Sequence, residues 1–328
     1  MRSLMFRREE VEQAAATVRR FVPATPQFAW PLLRERLGLT VWVKHENHTP
    51  AGAFKIRGGM TYFDALVRRE PAVRGVISAT RGNHGQSVGW GARHFGLAAT
   101  IVVPHGNSVE KNAAMRALGV TLLEQEQDFQ AAREHAMAMA AERGLLMVPS
   151  FHRDLVLGVM SYWLEFFDSF PPGEEPAVVY VPLGQGSGFC AAAAARAHTG
   201  RRSRLVGVVS AHATTYLDSF RAGRVVEAPV STQLADGMAC RIADEEALEI
   251  VRREADDIIA VSDQEVAEAM RILFSDTHNV AEGAGAAGLA ALIRDRARCG
   301  GRSAGFALTG GNVDSALFAR VLGAGGAA

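Results

Sequence analysis

The sequence predicts an α/β protein built on two doubly wound, mostly parallel sheets. Three observations carry this. Short apolar runs rich in β-branched residues alternate with helical patterns along the chain. Those runs are apolar on both faces, as strands covered by helices on each side must be. There are nine of them in 328 residues, which suggests two open sheets rather than one.

The candidate strands are residues 41–44, 75–79, 99–104, 120–123, 145–148, 177–183, 205–210, 258–261 and 306–309. Helical patterns fall between them, at 56–66, 85–95, 128–143, 189–198, 263–275 and 286–298. Ser262-Asp263-Gln264-Glu265 reads as a capping box opening one of these helices. No fixed-period repeat occurs. Pro-Pro-Gly at 171–173 and the Gly-rich tail at 323–328 are the linker-like stretches, and the tail is expected to fray.

Composition narrows the function. Basic and acidic residues number 35 each, and a neutral chain without basic blocks argues against nucleic acid or anionic membrane as partner. At 48% apolar the chain can fill a core. Cys190, Cys240 and Cys299 are too few and too far apart for a disulfide framework or a CxxC metal site. The charged start MRSLMFRREE lacks a signal peptide's apolar run, and no stretch of about 18 apolar residues occurs, so a soluble cytoplasmic protein is expected. Of the 35 basic residues only Lys44, Lys55 and Lys111 are lysines, leaving 32 arginines. Each lysine therefore asks for its own explanation.

Four loops carry candidate chemistry. The first is Gly52-Ala53-Phe54-Lys55-Ile56-Arg57-Gly58, a lysine in small apolar surroundings at a helix start. Burial lowers an amine's pKa and makes it a nucleophile able to form a Schiff base; the alternative is a solvated lysine whose stem packs on the helix. The second is Gly184-Gln185-Gly186-Ser187-Gly188, between an apolar strand and an Ala-rich helix. Its amides can converge on a phosphate, helped by the helix N-terminus; a turn shaped by packing alone is the alternative. It lacks the Gly-Lys-Ser/Thr of an NTPase loop. No acid follows about 20 residues on, where a dinucleotide ribose would need one. A mononucleotide-sized cofactor fits better.

The third loop is Thr80-Arg81-Gly82-Asn83-His84, at a strand end entering a helix. Its amides and the Thr80 hydroxyl suit a carboxylate, and Asn83 suits a phenolate-type oxygen; an ordinary turn capped by Asn is the competing reading. The fourth is Thr309-Gly310-Gly311-Asn312, ending the last strand. Glu282, ahead of Gly283-Ala284-Gly285, reads as a helix cap. His45 and His48 belong to no HExxH or Cys/His set, so no metal site is expected.

Together, in this order, the four loops resemble those of the fold-type II pyridoxal-phosphate enzymes, the tryptophan-synthase-β-like group. Within it they resemble the serine/threonine dehydratases: threonine ammonia-lyase, serine racemase and relatives. The resemblance runs from about Thr25 to Asp314. It implies that Lys55 holds pyridoxal 5'-phosphate covalently and that Phe54 packs beside the ring. It implies that Asn83 bonds the ring oxygen, while the 80–84 loop takes the substrate carboxylate. Gly184–Gly188 would hold the phosphate, with Gln185 and Ser187 replacing two of the usual glycines. Thr309 would face the pyridine nitrogen, where a neutral hydroxyl favours β-elimination. The implied domains are a large one, 1–69 with 150–328, and a small inserted one, 70–149.

The implied activity is β-elimination from a β-hydroxy-α-amino acid, L-threonine or L-serine, giving a 2-oxo acid and ammonia. Phenylserine and 3-hydroxyaspartate are alternative substrates. A β-replacement synthase of the cysteine-synthase type shares the fold, but it usually carries Ser/Thr-Gly-Asn-Thr-Gly where this chain has Gly82-Asn83-His84. A nicotinamide oxidoreductase would need the missing ribose acid. A homodimer is implied. No divalent metal is expected, because Ser210 and Tyr216 stand where serine racemases place two cation-binding carboxylates. Only 14 residues follow Asp314, so no effector region is expected. Arg81 replaces the serine that racemases use as a proton donor. Its high pKa makes it a poor proton shuttle, so negligible racemisation is expected.

Overall fold

The computed structural model describes residues 6–324. The start Met1–Met5 and the last four residues of the Gly-rich tail lie outside the described residues. Ten strands form two sheets. They are β1 (Gln27–Ala29), β2 (Val41–His45), β3 (Gly75–Ala79), β4 (Ala98–Val103), β5 (Thr121–Glu124), β6 (Leu146–Met147), β7 (Val178–Pro182), β8 (Arg204–Ser210), β9 (Asp257–Val261) and β10 (Ala304–Leu308). The larger sheet runs β1-β2-β10-β7-β8-β9 and the smaller β5-β4-β3-β6. Every pairing is parallel except β1 with β2.

The two-sided burial expected from the sequence is visible residue by residue. Val178 and Tyr180 of β7, with Val206 and Val208 of β8, join the core under the helices Asp263–Thr277 and Gly283–Asp295. Val179 and Val181, with Leu205 and Val209, face the helices Arg153–Asp168 and Ser187–His198. Each fully buried side chain of this size contributes about 1.5–3 kcal/mol of transfer free energy. Successive strand residues therefore stabilise two layers at once, and polar positions are driven to the strand ends.

The nine expected strands all occur, within a few residues at each end. The tenth, β1, escaped the reading because it is three residues long, lies on the sheet edge and turns Phe28 outward, 49% exposed. The strand expected at 145–148 shrinks to two residues. The capping box forms: the Ser262 hydroxyl accepts the Glu265 amide at 3.2 Å, and Glu265 accepts the Ser262 amide at 2.8 Å.

The helix Lys55–Arg69 crosses Arg153–Asp168 at a close approach set by glycine. A Cβ on Gly158 would fall 2.3 Å from the Arg57 carbonyl, and one on Gly58 would fall 2.7 Å from the Leu155 carbonyl. Backbone cannot yield as a flexible side chain can. Gly158→Ala should thus cost about 1–3 kcal/mol by forcing the helices apart. A thermal melt checks this, and an unchanged melting temperature would show that the helices separate freely.

Candidate active site

The loops after β2, β3, β7 and β10 all leave the C-terminal ends of parallel strands, where α/β sheets bind ligands. They meet around one cavity of about 110 Å³. All thirteen residues singled out from sequence line it: Phe54 and Lys55; Thr80, Arg81, Gly82, Asn83 and His84; Gly184, Gln185, Gly186, Ser187 and Gly188; and Thr309.

Lys55 opens its helix and points its amine into the cavity, where Nζ donates to Ser187 Oγ at 3.0 Å. The Phe54 ring centroid lies 4.9 Å from Nζ. Burial pushes the amine down to about 8. Lys44 and Lys111 are buried too, but each has carboxylate partners: Glu165 at 2.6 Å for Lys44, and Asp236 at 2.7 Å with Glu282 at 2.9 Å for Lys111. Among the described residues Lys55 alone of the three lacks one. An amine titrating near 8 is about one-tenth neutral at pH 7, several hundredfold more than an ordinary lysine. Acylation of Lys55 in cofactor-free enzyme should therefore rise with pH through a midpoint near 8. Peptide mass spectrometry would read it, and a midpoint near 10.5 would contradict the desolvated site.

The glycine loop closes onto the helix Ser187–His198. Gly186 has φ +93°, and a Cβ there would sit 2.6 Å from Ala247 Cβ, so conformation and space both require glycine. First-turn amides have no intrahelical acceptor and carry the positive end of the helix dipole. Gln185 is anchored, Nε2 donating to Cys240 Sγ at 3.1 Å. Across the cleft, Thr80 Oγ1 accepts the amides of Gly82 at 3.0 Å and Gly85 at 3.3 Å. This folds the loop so that the amides of Asn83 and His84 begin the helix Asn83–His94.

Asn83 is fixed from both ends of its carboxamide. Oδ1 accepts from Asn312 at 2.9 Å, and Nδ2 donates one hydrogen to Glu282, leaving the other free. His84 is held neutral, burial and the neighbouring Lys55 pushing it down to about 3. Thr309 is buried, its hydroxyl 3.4 Å from the Ala284 carbonyl.

Glu282 corrects the sequence reading. It stands at the N-cap position of the helix Gly283–Asp295 but makes no capping bond with its side chain. Instead it lines the cavity, bonded to Asn83 and paired with Lys111. Burial raises its carboxyl, against the pull of Lys111. Lys111 and Asp236 were missed as well. The signal available was the scarcity of lysine, together with Gly82: a Cβ on Gly82 would strike Lys111 Cδ at 2.3 Å. Ser210 and Tyr216 are both buried.

The site fits a phosphorylated aromatic aldehyde. Buried polar atoms on the cavity wall, His84 Nε2, Tyr162 Oη and Arg81 Nε among them, have no hydrogen-bond partner among the described residues. The glycine loop offers free amides for an anion, and the cleft offers one amine without a carboxylate.

This combination of two parallel sheets, a glycine anion loop and a desolvated cleft lysine defines a class of lysine-anchored, phosphate-holding enzymes. Residues 18–310 match the family described as pyridoxal-phosphate dependent enzyme, and the chain belongs to it. It is 30% identical over 315 residues to the L-threonine ammonia-lyase of Thermotoga maritima, covering 96% of this chain and 77% of that one. It is 29% identical to the L-threo-3-hydroxyaspartate ammonia-lyase of Saccharomyces cerevisiae, covering 95% of each. The crystal structure of a threonine deaminase from T.th. superposes with a TM-score of 0.85 at 28% identity, covering 94% of this chain and 98% of that one.

Proposed function

We propose that this chain is a pyridoxal-phosphate dependent ammonia-lyase, a dehydratase that releases a 2-oxo acid and ammonia from a β-hydroxy-α-amino acid, with L-threonine, L-serine and 3-hydroxyaspartate as the candidate substrates. The observation that carries it is the Lys55 amine, in the cleft without a carboxylate partner and titrating near 8. Such an amine can both hold the cofactor and accept a proton from a substrate carbon.

In this reading Lys55, the glycine loop 184–188, Asn83, Phe54 and Thr309 hold the cofactor. Bound there, pyridoxal phosphate acts as the sink for electrons left on the α-carbon. Thr80 and the first amides of the helix Asn83–His94 hold the substrate α-carboxylate, so the α-hydrogen faces Lys55. Lys55, freed by the substrate amine, accepts that proton as a neutral base. The β-hydroxyl leaves as water, taking up a proton that balances the one Lys55 accepted, and the released enamine takes up water to give the 2-oxo acid and ammonia. Ser187, 3.0 Å from Nζ, positions the amine between these tasks.

The 1–69 with 150–328 and 70–149 division is proposed as the two lobes, and strands β3 to β6 of the smaller sheet all fall within the second. A homodimer in the cytoplasm is proposed, in keeping with balanced charge and with no helix among the described residues long and apolar enough to cross a membrane.

The test is release of ammonia and 2-oxo acid by the holoenzyme from β-hydroxy amino acids of both α-configurations and both β-epimers. Product from at least one is expected. Silence on all of them, with turnover of an O-acylated serine plus a thiol nucleophile, would replace the lyase by a synthase.

A further inference from the structure

We propose that Arg81 and Arg133 select a substrate whose β-carbon carries a second carboxylate, so that the preferred substrate is a β-hydroxy dicarboxylic amino acid. This rests on the lyase reading above and names its substrate class. The main cavity adjoins a second chamber, and Arg81, Phe129, Gln185 and Ala239 line both. The second chamber adds Arg133, Arg241 and Asp128. Three arginines thus meet one acid.

The three are not equivalent. Arg241 is occupied, with Glu227 at 2.9 Å and Asp128 at 3.5 Å. Neither Arg81 nor Arg133 has an ion-pair partner among the described residues. Arg81 Nε is moreover buried and makes no hydrogen bond. A buried guanidinium N–H without an acceptor is costly, and such groups in native structures ask for a missing partner.

A monocarboxylic substrate does not supply that partner. In the lyase reading its one carboxylate is taken by Thr80 and the first amides of the helix Asn83–His94, in the loop that Thr80 Oγ1 folds. Arg81 lines the wall common to both chambers and Arg133 the second chamber alone, so a β-substituent directed there would meet both. A guanidinium is a planar fork matched to a carboxylate. Phe129 on the same wall would suit an aromatic β-substituent, but a ring offers no acceptor to Arg81 Nε. Charge therefore decides for the acid.

Steady-state kinetics of the holoenzyme with threo-3-hydroxyaspartate, threonine and phenylserine test the proposal, in wild type, Arg81→Gln and Arg133→Gln. The dicarboxylate should have the highest kcat/KM in wild type. Arg81→Gln should lower that value roughly ten- to a hundredfold more than it lowers the value for threonine, as loss of one charge-assisted contact would. Arg133 is exposed. Arg133→Gln should act in the same direction more weakly, and serves if Arg81→Gln does not fold. Calorimetry adds a readout free of turnover: succinate should bind wild-type holoenzyme more tightly than butyrate, and Arg81→Gln should erase the difference. Preference for threonine or phenylserine, or an equal loss on all three substrates, would overturn the proposal while leaving the lyase standing. No product from any substrate would overturn the lyase reading, and equal binding of succinate and butyrate would then overturn the arginine site independently.

Discussion

Lys55→Ala should abolish ammonia release, by at least about a thousandfold, and leave the purified protein without the visible absorbance of a lysine-bound cofactor. Two independent facts demand both losses. Lys55 is the cavity amine without a carboxylate, and its desolvated pKa near 8 gives it the neutral form that covalent capture and proton removal require. Lys44 and Lys111 cannot substitute. Lys44 is locked between the Thr25 carbonyl at 2.9 Å and Glu165 at 2.6 Å. Lys111 lines the cavity, but Asp236 and Glu282 hold it protonated and raise its pKa above the ordinary value. A protein that stays yellow, with borohydride fixing the cofactor onto Lys44 or Lys111, would refute the assignment.

What the sequence made legible was local. Gly186 with φ +93°, the loop folded on the Thr80 hydroxyl and the alternating faces of β7 each follow from a few adjacent residues, so each left a readable pattern. The two-sheet class followed from those patterns, and so did the residues at the strand ends. What escaped is assembled across distance. Lys111 meets Asp236 over 125 positions, and Asn83 meets Glu282 over 199. Glu282 sits where a cap belongs, so its local context pointed to the wrong role. Glu46, Arg57 and Glu165 are separated along the chain with no local pattern that pairs them, and folding brings them together in the interior. Charge complementarity between such residues is a property of the fold, and no periodicity announces it.

That buried network sets the largest stability effect. Arg57 is completely buried and uses its whole fork: Nε to Glu46 at 2.7 Å, Nη1 to Glu165 at 2.8 Å and to Ser161 at 3.1 Å, and Nη2 to Glu46 at 3.0 Å. Lys44 completes a group of two cations and two carboxylates. Arg57→Met keeps the bulk of the stem but leaves Glu46, itself fully buried, facing no cation of its own. Removing one partner of a buried pair costs about 3–5 kcal/mol. The denaturant midpoint should fall accordingly with little change in slope. The pH dependence separates this cause from simple misfit. In wild type the cations lower the Glu165 pKa below its unfolded value, a contribution present above about pH 4.5 and lost as pH falls through the folded value. In Arg57→Met much of that contribution is absent, so the gap between the two proteins should narrow as pH falls below about 4.5. Glu46→Gln added to Arg57→Met removes the unpaired buried charge and should recover part of the loss above that pH. A gap independent of pH, unrelieved by Glu46→Gln, would mean that Arg57 acts by packing alone. Because Arg57 lies in the first turn of the helix that begins at Lys55, the same variant should also loosen the amine's 3.0 Å contact with Ser187, raising KM for the cofactor before it lowers the melting temperature enough to unfold the enzyme.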